Sequence, residues 1–217
     1  MKISISLFLF ASLLVGCSAK ESHRAVVPSE LPRAVANRNV PSAKLLVGQF
    51  ANRSTFMNGI FADSTDKIGQ QAHQILVTHL SQVPSFTVVD RRNMASLAEE
   101  AKYAGKKQRI TGADAVVTGA VTEFGRKETG NRILGGIINK TKTQTLYAKV
   151  SLSIVDVSTS EILKSYQGAG EYSLTNKEVL GFGGYAGYDS TLADKVLNLA
   201  IQEAIQRLVE GRSANEW

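Results

Sequence analysis

One cysteine, three histidines and a glycine-rich stretch are the residues of this 217-residue chain on which chemistry could rest. Cys17 ends the segment LLVGC, behind an apolar run at residues 3–15 that follows Lys2. The run is too short to cross a bilayer as a helix, and Leu14, Val15 and Gly16 place aliphatic or small residues just ahead of the thiol. This is the pattern of a secretory signal ending in a lipobox. Cleavage leaves Cys17 as the first residue, and its thiol is the nucleophile that accepts lipid. No thiol then remains for catalysis, and without a second cysteine no intrachain disulfide forms. His73 and His79 lie six positions apart, rotated away from the i, i+4 spacing that chelates a metal, which suits surface or interface histidines. Glu99 and Glu100 are neighbours on a helix and diverge toward solvent. GFGGYAGYDST (181–191) lacks the Lys and Ser/Thr of a phosphate-binding loop and does not follow the first strand of a nucleotide fold, so it reads as a loop or strand-turn region. The expectation is a protein that is not an enzyme and that uses no metal and no cofactor.

Lipid on Cys17 has a physical consequence. Each buried acyl methylene contributes about 0.8 kcal/mol, so several chains hold firmly without a transmembrane helix. Ser18, rather than Asp, follows Cys17, which in a Gram-negative envelope resembles an address for the outer membrane, with the body facing the periplasm. The formal charge is +6. Its basic residues, among them Arg91, Arg92, Lys106, Lys107 and Arg109, are not interleaved with aromatics and accompany no nucleic-acid motif, which excludes nucleic acid as a partner. Anionic membrane surfaces or solubility account for the balance.

The remaining elements form a frame. Residues 1–16 are the signal, and 17–43, with Pro28, Pro32 and Pro41 among polar residues, are the anchor and a tether. Residues 44–211 form one α/β domain, with 212–217 as a tail. KLLVGQF (44–50) reads as a buried strand. A helix over 64–83 is capped by Ser64 or Thr65, with Ile68, Ala72, Ile75, Leu76, His79 and Leu80 along one face. After Pro84 come a strand at 85–90, a helix at 91–105 with Gly105 as its C-terminal cap, and a strand at 110–125. Residues 144–174 alternate with period two about a turn at Ser158, Thr159 and Ser160, which predicts an antiparallel hairpin with one wet face. A helix over 190–211, closing at Gly211, completes a sandwich of helices packed on a mixed sheet.

ADAVVTGAVTEFG (113–125), VSLSIVDVSTSEIL (150–163) and GFGGYAGYDSTLADKVLNLAI (181–201), all behind a lipobox, together resemble the CsgG/HfaB family of outer-membrane lipoproteins over about residues 44–210. The most distinctive piece is VDVSTSEIL, where Ser160 stands in place of a family glycine. The resemblance implies a homo-oligomeric ring in which each subunit donates two β-hairpins to one large barrel above a periplasmic vestibule. Barrel strands need apolar side chains toward lipid at every second position. In the first candidate hairpin (124–147), Ile133, Ile137 and Tyr147 fall on one uncharged side with Thr141, Thr143 and Thr145. FGRKETGNR (124–132) suits a membrane strand less, with charges on both faces. In the second (166–188), Tyr172 and Leu174 alternate with polar residues, Asn176, Lys177 and Glu178 form the turn, and Phe182 lies on the return. The family also places a constriction loop between the first strand and first helix. Here that loop is ANRSTFMNGIFADST (51–65), and Phe56, Asn58 and Phe61 have the side-chain types to narrow a pore. Soluble hairpins, and a loop packed on its own Phe residues, remain open as the alternative.

The implied function is a secretion channel or assembly component that exports extracellular, curli-like fibre subunits by diffusion. Its partners would be the outer membrane through acylated Cys17, further copies of itself, and the fibre subunit or other envelope proteins. The alternative is a periplasmic accessory lipoprotein that binds and regulates an envelope machine without forming a pore.

Overall fold

In a computed structural model of the protein, the structure describes residues 41–56, 66–132, 140–178 and 190–217. The elements follow in the order β1 (Ala43–Asn52), α1 (Lys67–Gln82), β2 (Phe86–Val89), α2 (Met94–Tyr103), β3 (Ala115–Arg132), β4 (Lys140–Asp156), β5 (Ile162–Glu178) and α3 (Ser190–Ser213). The strands build one mixed sheet in the order β2-β1-β3-β4-β5. β1 runs parallel to β2 and β3, while β3, β4 and β5 are antiparallel neighbours. This is the α/β class and the element order that the sequence pattern predicts.

Alternation along β4 shows why the sheet has one dry face. Leu146, Ala148, Val150, Leu152 and Ile154 are buried, whereas Tyr147 and Lys149 between them are exposed. α3 covers that dry face with a wide apolar stripe through Val196, Leu197, Ala200, Ile201, Ala204, Ile205 and Leu208, all fully buried. α1 lies beside it over β1 and contributes Ile68, Ala72, Leu76 and Leu80. Each such Leu or Ile removed from water stabilises the fold by about 1.5–3 kcal/mol. α3 approaches β5 closely enough that only glycine fits beneath it: a Cβ on Gly170 would stand 2.6 Å from the Val196 carbonyl oxygen, and one on Gly168 2.5 Å from the Ala204 nitrogen. α2 is different and buries none of its residues.

Element ends depart from the expected ones for local reasons. α1 starts at Lys67 because Asp66, rather than Ser64 or Thr65, is the cap; its Oδ1 accepts from the Gly69 amide at 2.7 Å. α2 starts later than 91 because Asp90 holds the preceding turn, accepting from the Arg92 and Asn93 amides at 2.8 and 3.3 Å. Its other end is as expected. Gly105, at φ 62°, donates to Lys102 O while Lys106 donates to Ala101 O, which is a Schellman motif. α3 runs past Gly211 to Ser213, and the left-handed position there belongs to Asn215 at φ 55°. Residues 212–217 pack onto the body: Trp217 stacks on Phe86 at 5.9 Å and lies under the Arg212 guanidinium.

Candidate functional site

Three strands outrun the helical layer. On the helix side the last buried positions are Phe124, Leu146 and, half-buried, Tyr172, which is paired directly with Leu146. Beyond them β3 and β4 stay paired from Lys127↔Thr145 to Arg132↔Lys140, and β4 and β5 from Thr145↔Ser173 to Lys140↔Glu178. Six further residues per strand make this prolongation about 20 Å tall, a little less than the roughly 25 Å apolar band of a membrane barrel.

Register fixes which positions share a face. One face holds Thr129, Thr141, Thr143, Thr145, Ser173 and Thr175, with Lys127 and Lys177. Thr145 and Ser173 confirm it, their hydroxyls 2.9 Å apart. The opposite face holds Glu128, Arg132, Lys140, Lys142 and Glu178. One difference from expectation follows: Asn176, Lys177 and Glu178 form no turn but continue β5 against Lys142, Thr141 and Lys140.

Of the candidate hairpin residues, Tyr147 is 40 % exposed and its ring lies over Gly125, its partner across the ladder, where a Cβ would stand 2.5 Å from the phenol oxygen. Tyr172 sits at the edge of the helical layer, its hydroxyl accepting from Lys195 Nζ at 3.4 Å. Leu174 is a β5 position opposite Gln144. Ile133, Ile137 and Phe182 lie outside the described residues, as do Cys17, Asn58 and Phe61.

The loop between β1 and α1 hangs from a pinned neck. Asp66 Oδ2 accepts from the Asn52 amide at 2.8 Å while Oδ1 caps α1, so one carboxylate ties both ends of the excursion. Asn52 turns the outgoing arm, accepting from the Ser54 amide at 3.0 Å and donating to Phe56 O at 2.9 Å. Phe56 packs its ring on Phe124, centroids 4.8 Å apart. The side chain thus seats the loop beside the base of the prolongation.

Sequence reading missed a polar seam between α1 and α3. Gln71 donates to Asp194 at 3.2 Å, Asn198 donates to Asp194 at 3.0 Å, and His79 Nε2 lies 2.8 Å from Asn198 Oδ1. His79 and His73, expected as surface or interface residues, are both buried. Burial, and then the nearby Arg92 guanidinium, lower the His73 pKa, with the Val47 backbone opposing them. No helix among the described residues is long and apolar enough to cross a membrane.

An α/β body bearing a three-stranded ribbon and a tethered loop defines a class, and the class has a family. The model of the curli production assembly/transport component CsgG matches residues 33–216, and the chain belongs to that family. A protein of Neisseria meningitidis serogroup B, named as a candidate lipoprotein, is 48 % identical over 204 residues, covering 94 % of this chain and 91 % of that one. Among solved structures, the PelC dodecamer of Paraburkholderia phytofirmans aligns at 16 % identity and a TM-score of 0.35, covering 76 % of this chain and 87 % of the other. A lipoprotein crystal structure from Neisseria meningitidis aligns at 20 % identity and 0.33, covering 80 % and 99 %.

Proposed function

We propose that this chain is a lipoprotein of the outer envelope that assembles into a ring and passes extracellular fibre subunits by diffusion. The ribbon with two bare edges carries the reading. β3 leaves β1 at Val121, and among the described strands nothing pairs with that side of β3 from Thr122 to Arg132; the outer edge of β5 has no strand partner either. Long free edges are a liability that soluble proteins suppress, and copies related by rotation would satisfy both. In this arrangement the second hairpin (166–188) completes the subunit's share of the barrel, with Phe182 on its return. Ile133, Ile137 and Tyr147 turn toward lipid, while Tyr172 and Leu174, partners of Leu146 and Gln144, belong to the opposite face of the ribbon. The loop pinned at Asn52 and Asp66 projects inward, with Phe56 seating it and Asn58 and Phe61 narrowing the passage. Cys17 holds each copy to the membrane, and no step consumes a nucleotide.

Charge on both faces of the prolongation favours a second reading, an accessory lipoprotein that regulates an envelope machine without a pore. Detergent-purified, lipidated protein separates the two. Annular particles and single-channel conductance that rises in Phe61→Ala support the ring. A monomer without conductance, whether or not Cys17 is replaced by Ala, overturns it in favour of the accessory reading.

A further inference from the structure

A cleft of ≈ 320 Å³ runs along β2, lined by Thr87, Val88 and Val89 on one wall and by the Gln108–Thr111 loop on the other. Successive strand side chains point to opposite faces, so a cleft that meets three consecutive residues meets the strand along its edge. β2 is the terminal strand and among the described residues pairs only with β1. The Ala43 amide donates to Ser85 O at 3.0 Å. Alternation therefore turns the backbone groups of Thr87 and Val89 toward β1 and those of Val88 to the free side of β2, beside the cleft that Val88 helps to line.

The chemistry around that edge is one-sided. Lys44, Arg91 and Arg109 line the cleft against one carboxylate, Asp90. Asp90 is already engaged, accepting from the Arg92 and Asn93 amides and from Asn93 Nδ2 at 2.6 Å. Arg91 donates to Thr111 O and so fixes the far wall, leaving Lys44 and Arg109 as the unengaged cations among the lining groups. Ile110, 61 % exposed, adds an apolar lip. The whole feature sits where β3 begins, since Ala115 pairs with Leu45, and thus at the opposite end of β3 from Arg132.

We propose that this cleft docks an extended acidic segment of a partner protein, which adds a strand to β2 through the Val88 backbone and sets carboxylates against Lys44 and Arg109. Strand addition supplies main-chain hydrogen bonds, and alternate side chains supply the choice of partner. A free phosphate or a lipid headgroup would use the cations and leave the strand edge untouched, which makes the backbone the deciding observable. The site stands apart from the ribbon and does not depend on ring assembly.

The test uses full-length lipidated protein and a fluorescein-labelled ten-residue peptide of alternating Val and Glu. Expected results are saturable binding by anisotropy, slowed amide exchange at Val88, and at least about a tenfold loss of affinity in Lys44→Glu/Arg109→Glu. Val88→Pro, which removes the outward N–H, should weaken binding with both cations intact. Binding without slowed exchange at Val88, equal binding of the Val/Lys counterpart, or full competition by inorganic phosphate or phosphatidylglycerol vesicles would each overturn the proposal.

Discussion

The same three strands make two kinds of sheet. From Ala115 to Phe124, and in the β4 segment facing it, buried apolar side chains line the face under α1 and α3, and Gly168 and Gly170 let the α3 backbone settle onto β5. From Lys127 to Arg132 and across Lys140–Thr145 the ladder continues with threonine positions on one face and charged positions on the other, and none of the described helices covers it. Register and hydrogen bonding run on unbroken from one part to the other. What changes is where the stability comes from: burial at the base, and for the ribbon only backbone pairing, which leaves its edges seeking partners.

The largest test of that contrast is Gly170→Ala. The added methyl meets helix backbone on both sides and cannot rotate away, so unfolding free energy should fall by about 3 kcal/mol, measured by chemical denaturation. A loss below about 1 kcal/mol would mean that α3 rides loosely and the base is no firmer than the ribbon.

His73 gives the base a pH signature. Its pKa in the folded chain lies below the ordinary 6.5, so between those values the unfolded chain holds a proton that the folded one refuses. This stability is complete above about 6.5 and drains as pH falls below it. The melting temperature should decline between pH 7 and 5.5 in the native chain, and more gently in His73→Gln.

A smaller gain is expected at the β4–β5 turn. Asp156 holds that turn by accepting from the Ser158 and Thr159 amides at 2.8 and 2.9 Å. The Ser158 hydroxyl, which donates to it too, is the first cause that brings its pKa down to about 2. Ser160 follows at φ 62°, a left-handed conformation that costs an L residue about 1–2 kcal/mol, partly offset by glycine's greater freedom when unfolded. Ser160→Gly should raise stability by about 0.5–1 kcal/mol.

Base and ribbon were also unequally legible in the sequence. Alternation in β4 and the wide stripe of α3 are one-dimensional patterns, and they gave strand order in the chain, helix faces and the turn at Ser158–Ser160. The ribbon resisted because charges on both sides of 124–132 leave no apolar alternation to mark a face, and Lys127 and Lys177 join the threonine face only through register. Likewise no local signal marks Asp66 as the tie between the two ends of a loop, because its second partner, Asn52, lies 14 residues away. The cleft along β2 needs Lys44, Arg91 and Arg109 brought together from three separate segments. A cap such as Gly105, by contrast, is read from its own neighbours.

The smallest effect on the isolated chain is the most informative about the ribbon. Thr145 lies on the threonine face, partly exposed, with its hydroxyl on Ser173. In a lone periplasmic subunit Thr145→Lys swaps one surface hydrogen bond for a solvated ammonium, and stability should move by no more than about 0.5 kcal/mol. In a barrel that face meets lipid, and at the base of the ribbon, directly across from Lys127, a further lysine costs about 0–1 kcal/mol per subunit. Every copy in a ring bears that cost, so the substitution should lower the yield of annular particles while leaving the melting temperature of the monomer nearly unchanged. Intact rings that still conduct would put the threonine face toward the lumen instead, and the charged positions of the opposite face would then have to find partners between neighbouring copies rather than in lipid.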